Sequence, residues 1–380
     1  MCIRDSSEVV PTFCEKPLFG YVTMVAASFA IAGVSWVVWL HHFFTMGAGP
    51  DINGFFSVAT MLVGIPTGVK VFNWAFTMYR ARITYTVPML WAMFGLFLLL
   101  AGGLTGMMLA IPAVNYTVHD SVFVIAHFHC MVLLVVAAAF AGVSYWFPKV
   151  FGFRLDESWG KAFFWTFSIA TLIVFTAMFA LGFEGETRRL DWTFNTAWKP
   201  MLVVEEVGMI LYVISLACFA LMLVFSIVNR KKNAAGADAW GTSRTLEWLT
   251  PSPVPFYNFA VTPQVNTRDE LAWRRRHGLD KAQPEHFEAI HMPSNTGMPF
   301  VIGMLAAVWG FAMIWRIWWL AAISLTALIV CVIIRSFYKN EGYHLQPEEI
   351  AAMERNLALG SVVSEQPDRS HHHYSHVEAH

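Results

Sequence analysis

Residues 119–147 read HDSVFVIAHFHCMVLLVVAAAFAGVSYWF. From Ser121 to Phe147 no Asp, Glu, Lys or Arg interrupts the run. A bilayer core of about 30 Å is crossed by roughly 20 apolar helical residues. A helix is the form that satisfies its own backbone there. The stretch is therefore read as a transmembrane helix with histidines inside it. Seven further stretches have the same character, and the eight run approximately 18–40, 54–77, 88–111, 120–147, 161–183, 201–229, 298–316 and 317–336. The expected fold is all-α, a polytopic transmembrane helical bundle. Its parts are a lead-in (1–17), a six-helix core (18–229), a polar loop (230–297), a helical hairpin (298–336) and a polar, His-rich tail (337–380).

Composition agrees. Of 380 residues, 57% are hydrophobic and 13% charged, where a soluble domain carries about 25% charged residues. The net charge of -1 leaves no electrostatic case for nucleic acid. The cysteines at 2, 14, 130, 218 and 331 make no paired spacing, so neither a disulfide framework nor a cysteine metal site is expected. The opening MCIRDS reads as a short foreign lead into a chain incomplete at its start.

Lys and Arg set the orientation. With eight spans the loops alternate sides. Twenty of the 25 basic residues then fall on the side that holds both termini, the 78–87 and 148–161 loops and the long loop. That side is expected to be cytoplasmic.

Nine of the 14 histidines lie in the long loop or tail. The other five, His41, His42, His119, His127 and His129, lie in or at the ends of spans, toward the opposite side. Coordinating residues in a membrane are costly and usually functional. His127 and His129 are two apart, about 200° around a helix, so they cannot hold one ion together. Each can serve its own centre, as haem iron accepts axial imidazole, or each can be a buried histidine hydrogen-bonded to a neighbour. His41 and His42, in VVWLHHFFTMG, can meet one ion only if the helix end lets them converge, and imidazole suits copper. Alternatively they are interfacial histidines beside an aromatic belt. His119 and Asp120 read either as a helix start favoured by Asp or as a hard-cation or carboxylate contact.

Arg188 and Arg189 break the positive-inside trend. They suit bidentate binding of carboxylates, or are screened by Glu184, Glu186 and Asp191. Lys70, in GIPTGVKVFNW, lies ten residues before Arg80, about 15 Å deep. It should face a hydrated cavity or a partner, with Thr67 on the same face and Pro66 loosening the helix. The alternative is pairing with an acid on another subunit.

WLHHFFTMGAG, IPTGVKVFNW, HD followed six residues later by AHFH, TRRL and RTLEWLTPSPVPFYNF together resemble subunit I of the haem–copper oxidases, over roughly Ser7 to Asn340. The hairpin, EAIHMPSNTGMPFVIGMLAAVWGFAMIWRIWWL, resembles the extension of cytochrome bo type ubiquinol oxidases. The resemblance implies an enzyme of a bacterial inner membrane. It would reduce oxygen to water with electrons from ubiquinol, pump protons, and work with subunits II, III and IV in the lipid bilayer. It implies that His41 and His42 bind copper, that His127 is the axial ligand of a high-spin haem and that His129 is one ligand of a low-spin haem. It further implies that Lys70 and Thr67 belong to a proton-uptake channel and that Arg188 and Arg189 hold haem propionates. His119 and Asp120 would lie near those propionates and a magnesium site.

The family's third copper histidine, its cross-linked tyrosine, the second low-spin ligand, the other proton channel and residues of the quinol site are expected ahead of this sequence. The residues present are therefore expected to be inactive by themselves. Glu205 and Glu206 look unusual for the family and read as an interfacial pair at a helix mouth. Two rivals stand: a cytochrome c oxidase subunit I, and a multi-span proton-coupled transporter using Lys70 and the histidines as a relay.

Overall fold

The computed structural model describes residues 2–280, 286–337 and 342–358. The His-rich end of the tail, with Lys339 and Arg369, lies outside the described residues, as does Lys281. Thirteen described helices and one two-stranded sheet fall into two units. Among the described residues, the first comprises 2–254 with 265–280, the second 255–264 with 286–337 and 342–358. The polar loop expected over 230–297 is thus divided between them.

In the first unit, α1 is Cys2–Cys14 and α2 is Tyr21–Val37, extended by a tighter 3₁₀ turn over Trp39–Met46. The second expected span is two helices in series, α3 Pro50–Leu62 and α4 Gly64–Met78. They part at Val63, just before Pro66, which has no N–H to donate to the helix. There follow α5 Val87–Leu109, the short α6 Pro112–Val118, α7 Val122–Phe151, α8 Glu157–Phe183 and α9 Lys199–Val228. Helix starts follow their caps. Ser121 accepts from the Phe123 amide, and Asp156 accepts from the Trp159 amide at 2.9 Å. Gly152, at φ +77, ends α7 in the left-handed position that glycine adopts without strain.

The core lies where α5, α7 and α8 meet. Trp91 is wholly buried, with ring centroids 4.9 Å from Phe140 and 5.1 Å from Phe163 and Phe164. Truncating such a residue to Ala costs about 3–5 kcal/mol. Small residues permit the close approach usual between membrane helices. A Cβ on Gly182 of α8 would stand 2.2 Å from the Phe123 amide nitrogen of α7. The polar part of this unit carries α10, Glu270–Arg276, whose Glu270 is solvent-inaccessible.

The second unit holds α11 Met298–Ile314, α12 Trp318–Phe337, an antiparallel pair β1 Ile290–Met292 with β2 Tyr343–Leu345, and α13 Pro347–Ala358. Helices α11 and α12 pack as the expected hairpin. Leu345 and Ile350 are fully buried beside Tyr257, whose hydroxyl donates to Glu354 at 2.8 Å.

Seven of the eight expected spans are long and apolar enough to cross a membrane. The other, α11, has 17 residues, about 26 Å at 1.5 Å per residue. It stops early because Arg316 adopts φ +55, a left-handed conformation in which an α-helix does not continue.

Candidate functional site

A cavity of about 810 Å³ opens among α2, α4, α5 and α7 in the first unit. That volume lies within the range of cofactor-sized sites. His41, His42, His127, Lys70, Thr67, His119, Asp120 and Arg188 all line it. His129 and Arg189 do not.

His41 and His42 sit on the 3₁₀ turn, where the α-helix has already ended at Val37 and Phe43 leaves helical geometry. The helix end lets the rings converge. Their Nε2 atoms stand 2.9 Å apart and their ring centroids 4.1 Å apart. The hydroxyl of Thr60 donates to the Phe56 carbonyl at 2.6 Å, so toward His41 Nδ1, 3.1 Å away, it can only accept. His41 therefore carries its proton on Nδ1 and turns a bare Nε2 toward His42.

The same logic fixes His127. Thr105 gives its hydroxyl hydrogen to the Ala101 or Gly102 carbonyl, at 2.9 and 3.0 Å, and accepts from His127 Nδ1 at 3.1 Å. Its Nε2 is left with a lone pair. His129 Nδ1 donates to the Ile125 carbonyl at 2.8 Å, again leaving Nε2 bare. His129 is exposed on the face of α7 away from the cavity, beside the exposed Phe128. The two histidines of α7 thus stand on different faces, as their spacing requires.

The α5 wall of the cavity mixes leucines, among them Leu99, Leu100 and Leu104, with glycines. Gly102, Gly103 and Gly106 of α5 line the cavity. A Cβ on Gly106 would come within 2.9 Å of His127 Cε1, whereas a Cβ on Gly103 would meet no atom within 4 Å. Two converging imidazoles suit copper. A single imidazole beside the open space at Gly103 leaves room for a flat haem. The residues fit both groups. Among the described residues no cluster of three or more His, Cys, Asp or Glu could hold a metal ion.

Lys70 is 2% exposed, and its ammonium has no hydrogen-bond partner among the described residues. Thr67 donates to the Val63 carbonyl at 2.8 Å. An orphaned buried cation is expensive, and this one borders the cavity.

At the cavity mouth Asp120 pairs with Arg188, and its carbonyl accepts from the Arg188 amide at 2.9 Å. His119 Nε2 is 3.2 Å from the Thr45 hydroxyl and 3.6 Å from Asp120. Asp120 does not start the helix. Ser121 caps α7, and Asp120 sits at φ +57 outside it. Arg189 is exposed at φ +70, so the two arginines diverge. Two donors, one of them engaged by Arg188, do not make the oxygen-rich set magnesium takes. No magnesium chemistry is assigned to them. Glu205 is half-buried and Glu206 exposed. Burial, and then the Glu205 charge, raise the carboxyl of the buried Glu186 above the usual range.

Thr60, Thr105, Thr45 and the α5 glycines escape sequence reasoning. A threonine on an apolar helix bonds its own backbone carbonyl as a matter of course. Only the fold reveals which of them also faces a histidine.

A model of the family described as cytochrome c and quinol oxidase polypeptide I matches residues 6–211. The ubiquinol oxidase subunit 1 of Acetobacter aceti is 47% identical over 92% of this chain and 53% of its own length. The cytochrome bo(3) ubiquinol oxidase subunit 1 of Buchnera aphidicola subsp. Schizaphis graminum is 42% identical over 92% of this chain and 53% of its own. A probable cytochrome c oxidase subunit 1 of Bradyrhizobium diazoefficiens is also 42% identical, over 92% and 53%. The chain spans about half the length of these curated relatives.

Proposed function

This chain belongs to the cytochrome c and quinol oxidase polypeptide I family, and from that premise we propose that it forms part of the catalytic subunit of a respiratory terminal oxidase, an oxidoreductase that takes electrons from ubiquinol, reduces oxygen to water and pumps protons. The observation that carries the reading is the cavity itself. Four histidines line it, Nε2 is bare on His41 and His127, and a lysine with no hydrogen-bond partner among the described residues borders it.

His41 and His42 would hold copper, and His127 the iron of a high-spin haem. His129 would hold a low-spin haem on the other face of α7. When bound, haem and copper supply the redox chemistry of oxygen reduction. The chain's own residues prepare for it. Thr60 and Thr105 fix the tautomers of His41 and His127, the role that hydrogen-bonding partners of metal-binding histidines play. Gly103 keeps a side chain out of the space a flat ring needs, while Gly102 and Gly106 let α5 approach Met131 and His127 of α7 closely. Lys70 holds a proton at Nζ inside the apolar wall, with Thr67 one turn away, and gives it up toward the cavity. Arg188, fixed by Asp120, presents its remaining N–H groups to carboxylates at the mouth, where haem propionates would lie. Arg189 faces away and would act only after rearrangement. Other oxidase subunits (II, III and IV) would complete the assembly in a bacterial inner membrane, with both ends of this chain cytoplasmic.

Cytochrome c is the second reading for the donor, favoured by the Bradyrhizobium relative. The test is a reduced-minus-oxidised optical spectrum of the intact subunit in membranes, followed by oxygen uptake with each donor. Two haem signals and uptake with ubiquinol are expected. Uptake with cytochrome c alone favours the second reading. Absence of haem returns the chain to the transporter class.

A further inference from the structure

Lys70 needs a source of protons, and the structure holds a second cavity on the side of the polar loop. It has about 460 Å³ and is lined by Ser7, Glu8, Tyr21, Arg244, Arg268 and Asp269, among others. One turn of α1 separates it from the larger cavity. Ser7 and Glu8 face the outer one, while Ser6 lines the inner one. The divide is closed by a hydrogen bond from the Trp74 indole N–H to the Ser7 hydroxyl oxygen at 3.2 Å. Trp74 is buried, lines the inner cavity, and lies one helical turn from Lys70 on the same face of α4. In order, the path runs from the outer cavity to Glu8, Ser7 and Trp74, then Lys70, Thr67 and the histidines.

We propose that Glu8 is the proton-loading residue of the Lys70 route, delivering protons from the outer cavity past the Ser7–Trp74 contact. This rests on the reading of Lys70 as a proton-uptake residue. In one transfer, the Glu8 carboxyl gives its proton to the Ser7 oxygen. Ser7 releases its own hydroxyl hydrogen to water that enters past Trp74 from the inner cavity, and that water passes a proton to the neutral Lys70 amine. Glu8 is left as carboxylate and is reprotonated by water in the outer cavity. Lys70 becomes ammonium, and no electron moves. Ser7 suits the hand-over because it accepts from Trp74 and so keeps its O–H for onward donation.

The surroundings of Glu8 favour a carboxyl that keeps its proton near neutrality. Burial, then the Glu247 and Asp269 carboxylates, push it up to about 7, against the Thr245 hydroxyl and the Arg4 guanidinium, which pull it down. Tyr145 also faces Glu8. The outer cavity's cations are largely committed elsewhere: Arg244 binds Asp269 at 2.7 Å, and Arg268 covers the Tyr21 ring at 3.8 Å. Arg276, also on the lining, is the remaining cation.

The experiment uses the assembled oxidase with its full-length subunit. It measures the rate of high-spin haem reduction, per haem, from one unit below to one unit above pH 7, in wild type, Glu8→Gln, Glu8→Asp and Lys70→Met. Wild type should slow as pH rises through about 7, where Glu8 loses its proton. Glu8→Gln should be about 10-fold slower below that pH and flat across it, less than the 10²–10⁴ of a group at the reacting atoms because water can bypass it. Glu8→Asp should restore the rate and move the slowing to lower pH. A Glu8→Gln enzyme with the wild-type rate and pH profile, beside a slowed Lys70→Met, overturns the role of Glu8 and leaves Lys70 in place. A Lys70→Met enzyme with the wild-type rate overturns the underlying reading. Should Glu8→Gln fail to assemble, Glu8→Asp still decides, because a pH limb that does not move overturns the proposal.

Discussion

Two lysines of the first unit are buried to a similar degree, Lys70 at 2% exposure and Lys149 at 6%. Their surroundings differ completely. The Lys149 ammonium reaches the Thr250 carbonyl at 2.5 Å, the Thr250 hydroxyl at 3.3 Å and the Pro251 carbonyl at 3.4 Å, with the Trp248 ring 5.1 Å away. It ties the end of α7 to the polar segment. Around that segment other charges are matched too: Arg244 with Asp269, Arg275 with Asp238, and Glu270 with Arg274 at 2.8 Å. Lys70 borders a cavity and has no such partner among the described residues. A buried charge with its bonds satisfied holds a fold together. One left unsatisfied costs stability, and a cost of that kind persists where function requires it.

The contrast is broken or sharpened by substitution. In the full-length subunit, Lys70→Met should slow proton-coupled haem reduction by at least about 100-fold, with haem content and melting temperature near normal or improved. Wild-type turnover across pH makes Lys70 structural and erases the difference between the two lysines. Lys149→Met should do the opposite. Leaving the Thr250 and Pro251 oxygens unmatched costs about 1–3 kcal/mol, read as a lower melting temperature, while turnover per haem is unchanged. The smallest effect at neutral pH belongs to Glu270. Burial alone would raise its carboxyl, but hydrogen bonds from Arg274 and from the Asn266 and Thr267 amides outweigh burial and hold it at about 2. A depressed carboxyl contributes stability above its unfolded value of 4.5 and loses it as pH falls from there through about 2. Hydrogen exchange over 266–276 should therefore be unaltered at neutral pH and rise in that acid window. In Glu270→Gln the acid-induced rise should be smaller.

The long helices are legible because apolar runs without charge leave few alternatives, and the H-F-H spacing alone puts His127 and His129 on different faces. Lys70 stood out for its depth. What escaped depends on backbone detail or on distant neighbours. The left-handed turn at Arg316 cut α11 short. By residue type Asp120 suits either a helix start or a cation or carboxylate contact, yet Ser121 a single residue later makes the cap and frees Asp120 for Arg188. The adjacency of Arg188 and Arg189 suggested a joint clamp, which the positive φ of Arg189 undoes. Thr60 and Thr105 were invisible because their partners, His41 and His127, lie 19 and 22 residues away.

The central claim is that one helix, α7, serves two separate centres from its two faces. The direct measurement is a pair of optical difference spectra, reduced plus carbon monoxide minus reduced, on the intact subunit carrying His127→Ala or His129→Ala. His127→Ala should abolish carbon monoxide binding while low-spin absorbance persists. His129→Ala should remove the low-spin signal. If either variant keeps both signals, or if each loses both equally, the histidines of α7 do not divide the two haems between them and the account fails.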